Sequence, residues 1–520
     1  MLDTTLRDGM QAQGISYSVE DKLAVVEALD ALGLTYIEAG YAGANPKEVE
    51  FFSRISERPL TRSSLCAFGS TCRKYTRPEE DAGLAVLSQA GTDTVVVFGK
   101  CHALHAADIL GVDLTENRRM IFDSVSYLKA QGKRVIFDAE HFFDGYRQDS
   151  NMALEALQAA KEAGADTLVL CDTNGGLFPW EISEINQAVI ARFPHTPIGI
   201  HCHDDGGLAV ANTIAAVQAG AVHIQGTLLG FGERTGNANL CTLIPDLQIK
   251  LGYSLIPADC LSLLTQTAYA VTEISNLQPN HRAPFVGRNA FTHKAGTHTD
   301  GMIKNTSAFE HIDPELVGNT RRFLISEVAG KKALLNWLEH AYPKLSKKLL
   351  QSDSRMVSDI MNLIKQKEHE GYQYEGASGS LQLLVLKQLG QYRPFFELCR
   401  YRIVSEKPSD SLSSTASIQV RVRDKTEEAL ESGNGPVNAL DKALRKALSV
   451  FFPVLSTVHL VDYKVRAIDS NAATGACVRV LITSSNTQKS WTTVGVSTDI
   501  IEASLMALVD SIEYILEESD

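Results

Sequence analysis

From Met1 to about residue 230 the chain alternates short β-rich runs with helix-length segments, and this alternation constrains the fold more than any other feature. The runs are Leu2–Leu6, Thr35–Glu38, Ser64–Phe68, Thr94–Phe98, Arg134–Asp138, Thr167–Cys171, Ile198–His201 and Val222–Gly226. A parallel strand is reached only through a crossover, so strands that alternate with helices predict a parallel sheet. The intervening segments carry helical periodicity. In Ser18–Leu32, Ser18 can cap and Leu23, Val26, Leu29 and Ala31 mark a buried side; Ser150–Ala163 and Gly206–Ala219 read alike. Eight such units predict an α/β fold of the (β/α)8 TIM-barrel type, since an open doubly wound sheet more often has five or six strands.

Reactive groups of such barrels gather where strands end at their C-termini. Arg7 and Asp8 follow the first run and Glu38 ends the second; Glu140 follows the fifth, Thr173 the sixth, and His201 and His203 close the seventh. All should crowd one rim. Side chains alternate along a strand, so His201 and His203 face one way and Cys202 the other. With Asp8 as the anionic ligand they make a divalent-metal site, and Arg7 places a cation beside it. Asp8 could instead simply pair with Arg7, but adjacent strand residues point apart. Zinc can use these ligands and Co²⁺ also fits; the oxygen-rich company of Asp204 and Asp205 favours Mn²⁺ or Mg²⁺. The glycine loop Gly232–Asn239 either caps the next helix or offers Asn237 as a fourth ligand. The loop Phe291–Lys304 carries His293 and His298 between glycines, and is either a solvated surface loop or a source of an acid/base group. Gly433-Asn434-Gly435-Pro436 lacks the Lys-Ser/Thr of a phosphate loop and reads as a turn into a helix.

The predicted domains are a barrel over 1–257, mainly helical linker subdomains over 258–404 and an α+β module over 405–520. Ser405–Ser414 reads as a linker. Beyond it Ala416–Asp424, Leu460–Arg466 and Cys477–Thr483 alternate as half-buried strands, accompanied by amphipathic helices near Asn438–Val450 and Asp499–Leu516. Both halves share a strand–glycine turn–helix plan, which suggests an internal repeat. A net charge of −13 disfavours a nucleic-acid or anionic-membrane surface. No apolar stretch reaches the roughly eighteen residues of a membrane span, and no secretory signal opens the chain. Nine scattered cysteines without a C-x-x-C pair fit a reduced, cytoplasmic protein.

Three motifs, D-T-T-L-R-D-G at Asp3–Gly9, H-C-H-D-D at His201–Asp205 and G-E-R-T-G-N-A-N at Gly232–Asn239, together resemble those of the metal-dependent barrels that condense acetyl-CoA with 2-oxo acids. That family comprises the isopropylmalate, homocitrate and citramalate synthases. Within it the likeness leans to the long citramalate synthases, through the segments Glu38–Glu48, Asp138–Tyr146, Leu170–Gly176, Glu310–Asn319, Gly433–Leu440 and Thr493–Ser497. The resemblance implies that Asp8, His201, His203 and Asn237 hold the metal, which chelates pyruvate. It implies that Arg7 steadies the keto oxygen, Thr173 binds the pyruvate carboxylate, and Glu140 and His298 share the acid/base work in an order left open. The product would be (R)-citramalate with free CoA, the first step of the pyruvate route to isoleucine. A homodimer, with His298 acting across its interface, and isoleucine as feedback effector of the C-terminal regulatory domain are implied too.

Ala39-Gly40-Tyr41 stands where citramalate synthases of this type have Gly-Gly-Trp, and Thr299-Asp300-Gly301 is closer to the isopropylmalate and homocitrate branches. Cys101–His105 also departs from the usual aromatic, acidic run. These positions border the expected oxo-acid pocket and leave 2-oxoisovalerate, the isopropylmalate synthase substrate, as the alternative. More distant alternatives are a metal-dependent aldolase or lyase and a non-catalytic amino-acid sensor. The chain begins several residues inside the family's usual first strand, so an upstream start, a short first strand and a loosely held Asp8 are expected.

Overall fold

The computed structural model describes residues 1–294, 301–302, 304–324, 334–335, 337–339, 354–406, 414–468, 475–486 and 489–519. They form two bodies, one of Met1–Phe291 with Ile312–Arg321 and the other of Thr292–His311 with Arg322–Asp520.

The first body is a closed barrel of eight parallel strands in sequence order: β1 Leu2–Asp3, β2 Tyr36–Tyr41, β3 Ser64–Ser70, β4 Thr94–Lys100, β5 Arg134–Glu140, β6 Thr167–Asp172, β7 Ile198–Cys202 and β8 His223–Gly226. Strand alternation sorts the core into two layers. Leu2, Val96, Ile136 and Val169 pack together in one cluster, while Val95, Val97, Val135, Phe137, Leu168 and Leu170 join the larger cluster that includes the helices. The helix Val19–Leu32 opens on a capping box, with the Asp21 amide donating to Ser18 Oγ and the Ser18 amide to the Asp21 carboxylate. Leu23, Val26 and Leu29 are buried as expected; Ala31 is exposed and Leu32 is buried instead. The third helix starts later than its periodicity suggested, at Ala209, because Gly206 and Gly207 turn the chain and Asp204 accepts the Ala209 amide at 2.8 Å. Gly40, at φ +141°, leaves room for the buried Lys22–Glu48 ion pair of 2.6 Å, which a Cβ there would strike.

Strand one is short, as expected, but the chain after it is firmly held. The Thr4 amide donates to Gly226 O at 2.8 Å, and Thr4 O accepts from both Arg7 and Gly9. The Asp3 carboxylate takes the Thr5 amide and hydroxyl at 3.0 and 2.8 Å, and Thr5 Oγ1 in turn accepts the Leu228 amide at 2.8 Å. The run read as Leu2–Leu6 is therefore a two-residue strand followed by a tight turn, tied to the loop after β8. Asp8 is only 2% exposed, so the loose hold expected of it is not found.

The second body carries a two-stranded pair, β9 Thr292–His293 with β10 Arg322–Phe323, and the helices Ser354–His369 and Ser378–Gln388. Two three-stranded antiparallel sheets follow: β11 Glu397–Ser405, β12 Ser414–Val422 and β13 Lys425–Gly433 precede the helix Pro436–Ser449, and β14 His459–Ala467, β15 Val478–Ser485 and β16 Ser490–Ser497 precede the helix Ile500–Glu517. The internal repeat is thus a βββα unit. Strands β11, β13 and β16 had no counterpart among the expected strands, and β11 lies ahead of the stretch read as a linker. Each is an edge strand. Neither β11, which is exposed almost throughout, nor β13, with its run of charged residues Lys425, Glu427 and Glu428, shows the alternation that is clear in the central strand β12.

Glu513, on the last helix, is buried and accepts the Phe395 amide through both oxygens at 3.2 Å. Burial pushes its carboxyl up to about 7, against the opposing pull of the Phe395 and Phe396 amides and the Tyr392 hydroxyl. An acid with a raised folded pKa contributes stability that is full below its unfolded value and is lost as pH rises toward 7. Glu513→Gln should therefore melt like the parent at pH 4 and several degrees higher at pH 8. A melting difference that does not change with pH would contradict the assignment.

Among the described residues no helix is long and apolar enough to cross a membrane. All nine cysteines carry free thiols.

Candidate active site

The C-terminal ends of the strands enclose a cavity of about 210 Å³, lined by Arg7, Asp8, Glu140, Thr173, His201 and His203, with Gln11, Phe68, Phe98, Asp138, Cys171 and Glu233. Asp8 Oδ2 lies 3.4 Å from His201 Nε2 and 3.7 Å from His203 Nε2, and among the described residues these three form the cluster able to hold a metal. The period-2 alternation of β7 puts both imidazoles on the cavity side.

Asn237 is tied through the backbone to the segment that carries His203. It forms an antiparallel bridge with His203, and its Nδ2 donates to Phe231 O at 3.1 Å. Its Oδ1 is buried without a hydrogen-bond partner, as is Asp8 Oδ1. An orphaned oxygen on the carboxylate that faces two ring nitrogens, and another on the residue bridged to His203, are costly unless something electropositive is bound there, so the residues fit a divalent cation. The glycine loop makes this possible, because Gly236 (φ +99°) passes so close to Gly230 O that no side chain could stand there. The helix-capping alternative for this loop also holds in part, since Asn239 Oδ1 accepts the Cys241 amide at 2.9 Å.

The tautomer of His201 follows from its neighbours. Gln225 donates through Nε2 to Asp138 at 2.8 Å, so its Oε1 accepts from His201 Nδ1, also at 2.8 Å. That bond turns Nε2 toward Asp8. Burial, and then His201, push His203 down to about 4, which keeps its ring neutral. Burial works against ionisation of Asp8, yet Arg7 and the two imidazoles hold its carboxyl far below the usual range.

Arg7 donates through Nε to Glu38 Oε2 at 2.5 Å and through a terminal nitrogen to Asp8 Oδ2 at 3.1 Å. The expectation that Arg7 and Asp8 point apart fails because neither is on a strand; Asp8 has helical backbone angles (φ −71°, ψ −41°), and the turn aims both inward. The guanidinium lies 4.0 Å from the centre of the Phe68 ring, itself stacked on Phe98 at 5.3 Å. Beneath it Glu38 is fully buried; burial, offset by Arg7 and reinforced by Asp138, pushes its carboxyl up to about 7.

Thr173 Oγ1 accepts the His141 amide at 2.8 Å, which leaves the hydroxyl hydrogen to donate into the cavity. Glu140 pairs with Lys100, one residue pair along the β4–β5 register. Asp204 and Asp205 do not accompany the metal cluster: Asp204 caps a helix, and Asp205 is held by Arg234 through two bonds of 2.8 Å. The oxygen-rich company inferred from the sequence is therefore not found: among the described residues one carboxylate, Asp8, stands with the two imidazoles. His293 pairs with Glu310 at 3.0 Å in the second body, and His298 lies outside the described residues.

Sequence reasoning passed over Lys100, Asp138 and Gln225. Asp138 sits two residues before Glu140 and Gln225 inside the eighth run, so extending the alternation inward would have flagged both. Lys100 was missed because β4 was ended at Phe98.

Three family models match in order along the chain: HMGL-like over residues 1–278, homocitrate synthase post-HMGL domain-like over 285–368, and LeuA allosteric (dimerisation) domain over 375–516. Among curated relatives, the (R)-citramalate synthase of Aquifex aeolicus (strain VF5) is 46% identical over 520 residues, covering 100% of this chain and 98% of the relative. That of Geobacter sulfurreducens (strain ATCC 51573 / DSM 12127 / PCA) is 44% identical over 522 residues, with the same coverage. A 2-isopropylmalate synthase of Methanocaldococcus jannaschii (strain ATCC 43067 / DSM 2661 / JAL-1 / JCM 10045 / NBRC 100440) is 30% identical over 525 residues, covering 100% and 95%. A barrel with this site, joined to this C-terminal repeat and matched end to end at these identities, makes the chain a member of the HMGL-like family in its citramalate synthase branch.

Proposed function

We propose that the chain condenses acetyl-CoA with pyruvate and releases (R)-citramalate and CoA. The observation that carries this reading is the grouping of Asp8, His201 and His203 on one cavity with Arg7 alongside; Asn237, with its Oδ1 unpartnered, is bridged to His203. Asp8, His201, His203 and Asn237 would hold a divalent cation; with Asp204 and Asp205 engaged elsewhere, the set suits Zn²⁺ or Co²⁺ as well as the Mn²⁺ or Mg²⁺ expected from the sequence. When bound, that cation supplies Lewis-acid polarisation of the 2-oxo acid.

The chain's own groups do the rest. Thr173 donates its hydroxyl to the pyruvate carboxylate. A base, Glu140 or His298, removes a proton from the acetyl methyl group, and the resulting enolate carbon bonds to the keto carbon. Negative charge moves to the keto oxygen, where Arg7, already oriented by Glu38 and Asp8, stabilises it before it takes up a proton. Water then adds to the thioester carbonyl, the C–S bond breaks, and the thiol leaves as CoA. Phe68 and Phe98 form an apolar wall beside Arg7.

The similarity to (R)-citramalate synthases supports pyruvate, and the match to the dimerisation model supports a homodimer. Isoleucine is the proposed feedback ligand of the C-terminal repeat, consistent with a product early on the route to that amino acid. Thiol release from acetyl-CoA, measured against a panel of 2-oxo acids with and without isoleucine, tests these assignments together. Pyruvate should be preferred and isoleucine should inhibit. A preference for 2-oxoisovalerate would reassign the chain to isopropylmalate synthesis, and retro-aldol cleavage without CoA would indicate a lyase.

A further inference from the structure

Glu140 lines the cavity at the end of β5, and directly across the β4–β5 register stands Lys100. Their side chains form an ion pair through Glu140 Oε2, partly shielded from water at 15% and 25% exposure. The backbone around the pair is pinned on both sides. Lys100 O accepts Asn117 Nδ2 at 2.9 Å, and Glu140 O accepts the Cys101 amide at 3.1 Å. Lys100 is itself absent from the cavity lining, so it reaches the substrate space only through the carboxylate it holds.

The other titratable groups around Glu140 leave this cation as its direct partner. Cys101 and Cys171 are thiols whose pKa burial raises, so they stay neutral. His105 lies against His141 with ring centres 3.9 Å apart and planes tilted by 32°, and burial, then His141, lower its pKa. Asp138, two residues back on β5, accepts from Gln225, and Arg7 across the cavity is engaged by Glu38 and Asp8.

We infer that Lys100 is a positioning residue for Glu140: it fixes the carboxylate by Oε2 and leaves Oε1 to accept the substrate proton. This rests on Glu140 being one of the acid/base residues. Loss of the ammonium removes the one direct partner that holds the carboxylate in place, so Glu140 becomes freer to rotate out of the geometry proton transfer needs.

The test is the steady-state kcat and KM for pyruvate of the full-length, metal-loaded protein and its Lys100→Met, Lys100→Arg and Glu140→Gln variants. Lys100→Met should lose about tenfold to a hundredfold in kcat, with the KM for pyruvate changed less than about threefold. Lys100→Arg, which can still hold Oε2, should recover most of that loss. Should Lys100→Met not fold, Lys100→Gln offers the same readouts with a polar side chain. A KM for pyruvate that rises as far as kcat falls, or a loss that arginine does not recover, overturns the role of Lys100 while leaving that of Glu140 intact. If Glu140→Gln keeps more than a tenth of the activity, the reading of Glu140 itself falls, and this inference with it.

Discussion

Replacing Asp8 with Asn is expected to strip the protein of its divalent cation and to lower turnover by at least ~10³-fold, the equivalent of several kcal/mol of lost Lewis-acid stabilisation. The substitution is nearly isosteric, so the turn after β1, which is fixed by Asp3, Thr4 and Thr5, should survive. What disappears is the negative charge among the four donors. In its place a neutral amide would face two imidazoles and the Arg7 guanidinium, an environment that repels a cation. Metal content by mass spectrometry, thermal melting and thiol release together check this. A variant that melts normally, lacks metal and is inactive fits; one that keeps a full equivalent of metal and its activity removes Asp8 from the ligand set.

Arg7→Lys should cost about 10²–10³ in kcat and much less in the KM for pyruvate, because the interaction is strongest once negative charge reaches the keto oxygen. Lysine keeps the charge but not the fork. The guanidinium donates to Glu38 and Asp8 at once while its face packs on Phe68, so its remaining donors point in a set direction. An ammonium on a flexible stem can satisfy Glu38 or face the substrate, and the buried Glu38 competes strongly for it. Steady-state kinetics across a pyruvate range separate the outcomes. A lysine variant with more than a tenth of parental kcat would show that Arg7 supplies only general positive charge.

The barrel was legible from the chain alone because its evidence is local. Each strand announces itself by a short β-rich run, each helix by its periodicity, and His201-x-His203 by strand alternation. The βββα repeat was only half legible. Its central strands alternate cleanly, whereas β11 is exposed on nearly every residue and β13 carries successive charged residues, so both lose the pattern. Asp204 and Asp205 misled for a related reason. Their position beside the histidines is local information, but their partners, the Ala209 amide and Arg234, are set by the following helix start and by the loop after β8.

By itself, then, the sequence determined the elements and the residues at their ends, since both follow from spacing along the chain. Only the tertiary structure decided which of those residues touch. Closure of β1 onto β8, with the Thr4 amide on Gly226 O, turns Arg7 and Asp8 into the same cavity although strand geometry would have separated them. The bridge between His203 and Asn237 ties the loop after β8 to the end of β7, and the β4–β5 register sets Lys100 against Glu140. These pairings depend on hydrogen-bond register between distant segments, which no periodicity within a single segment encodes.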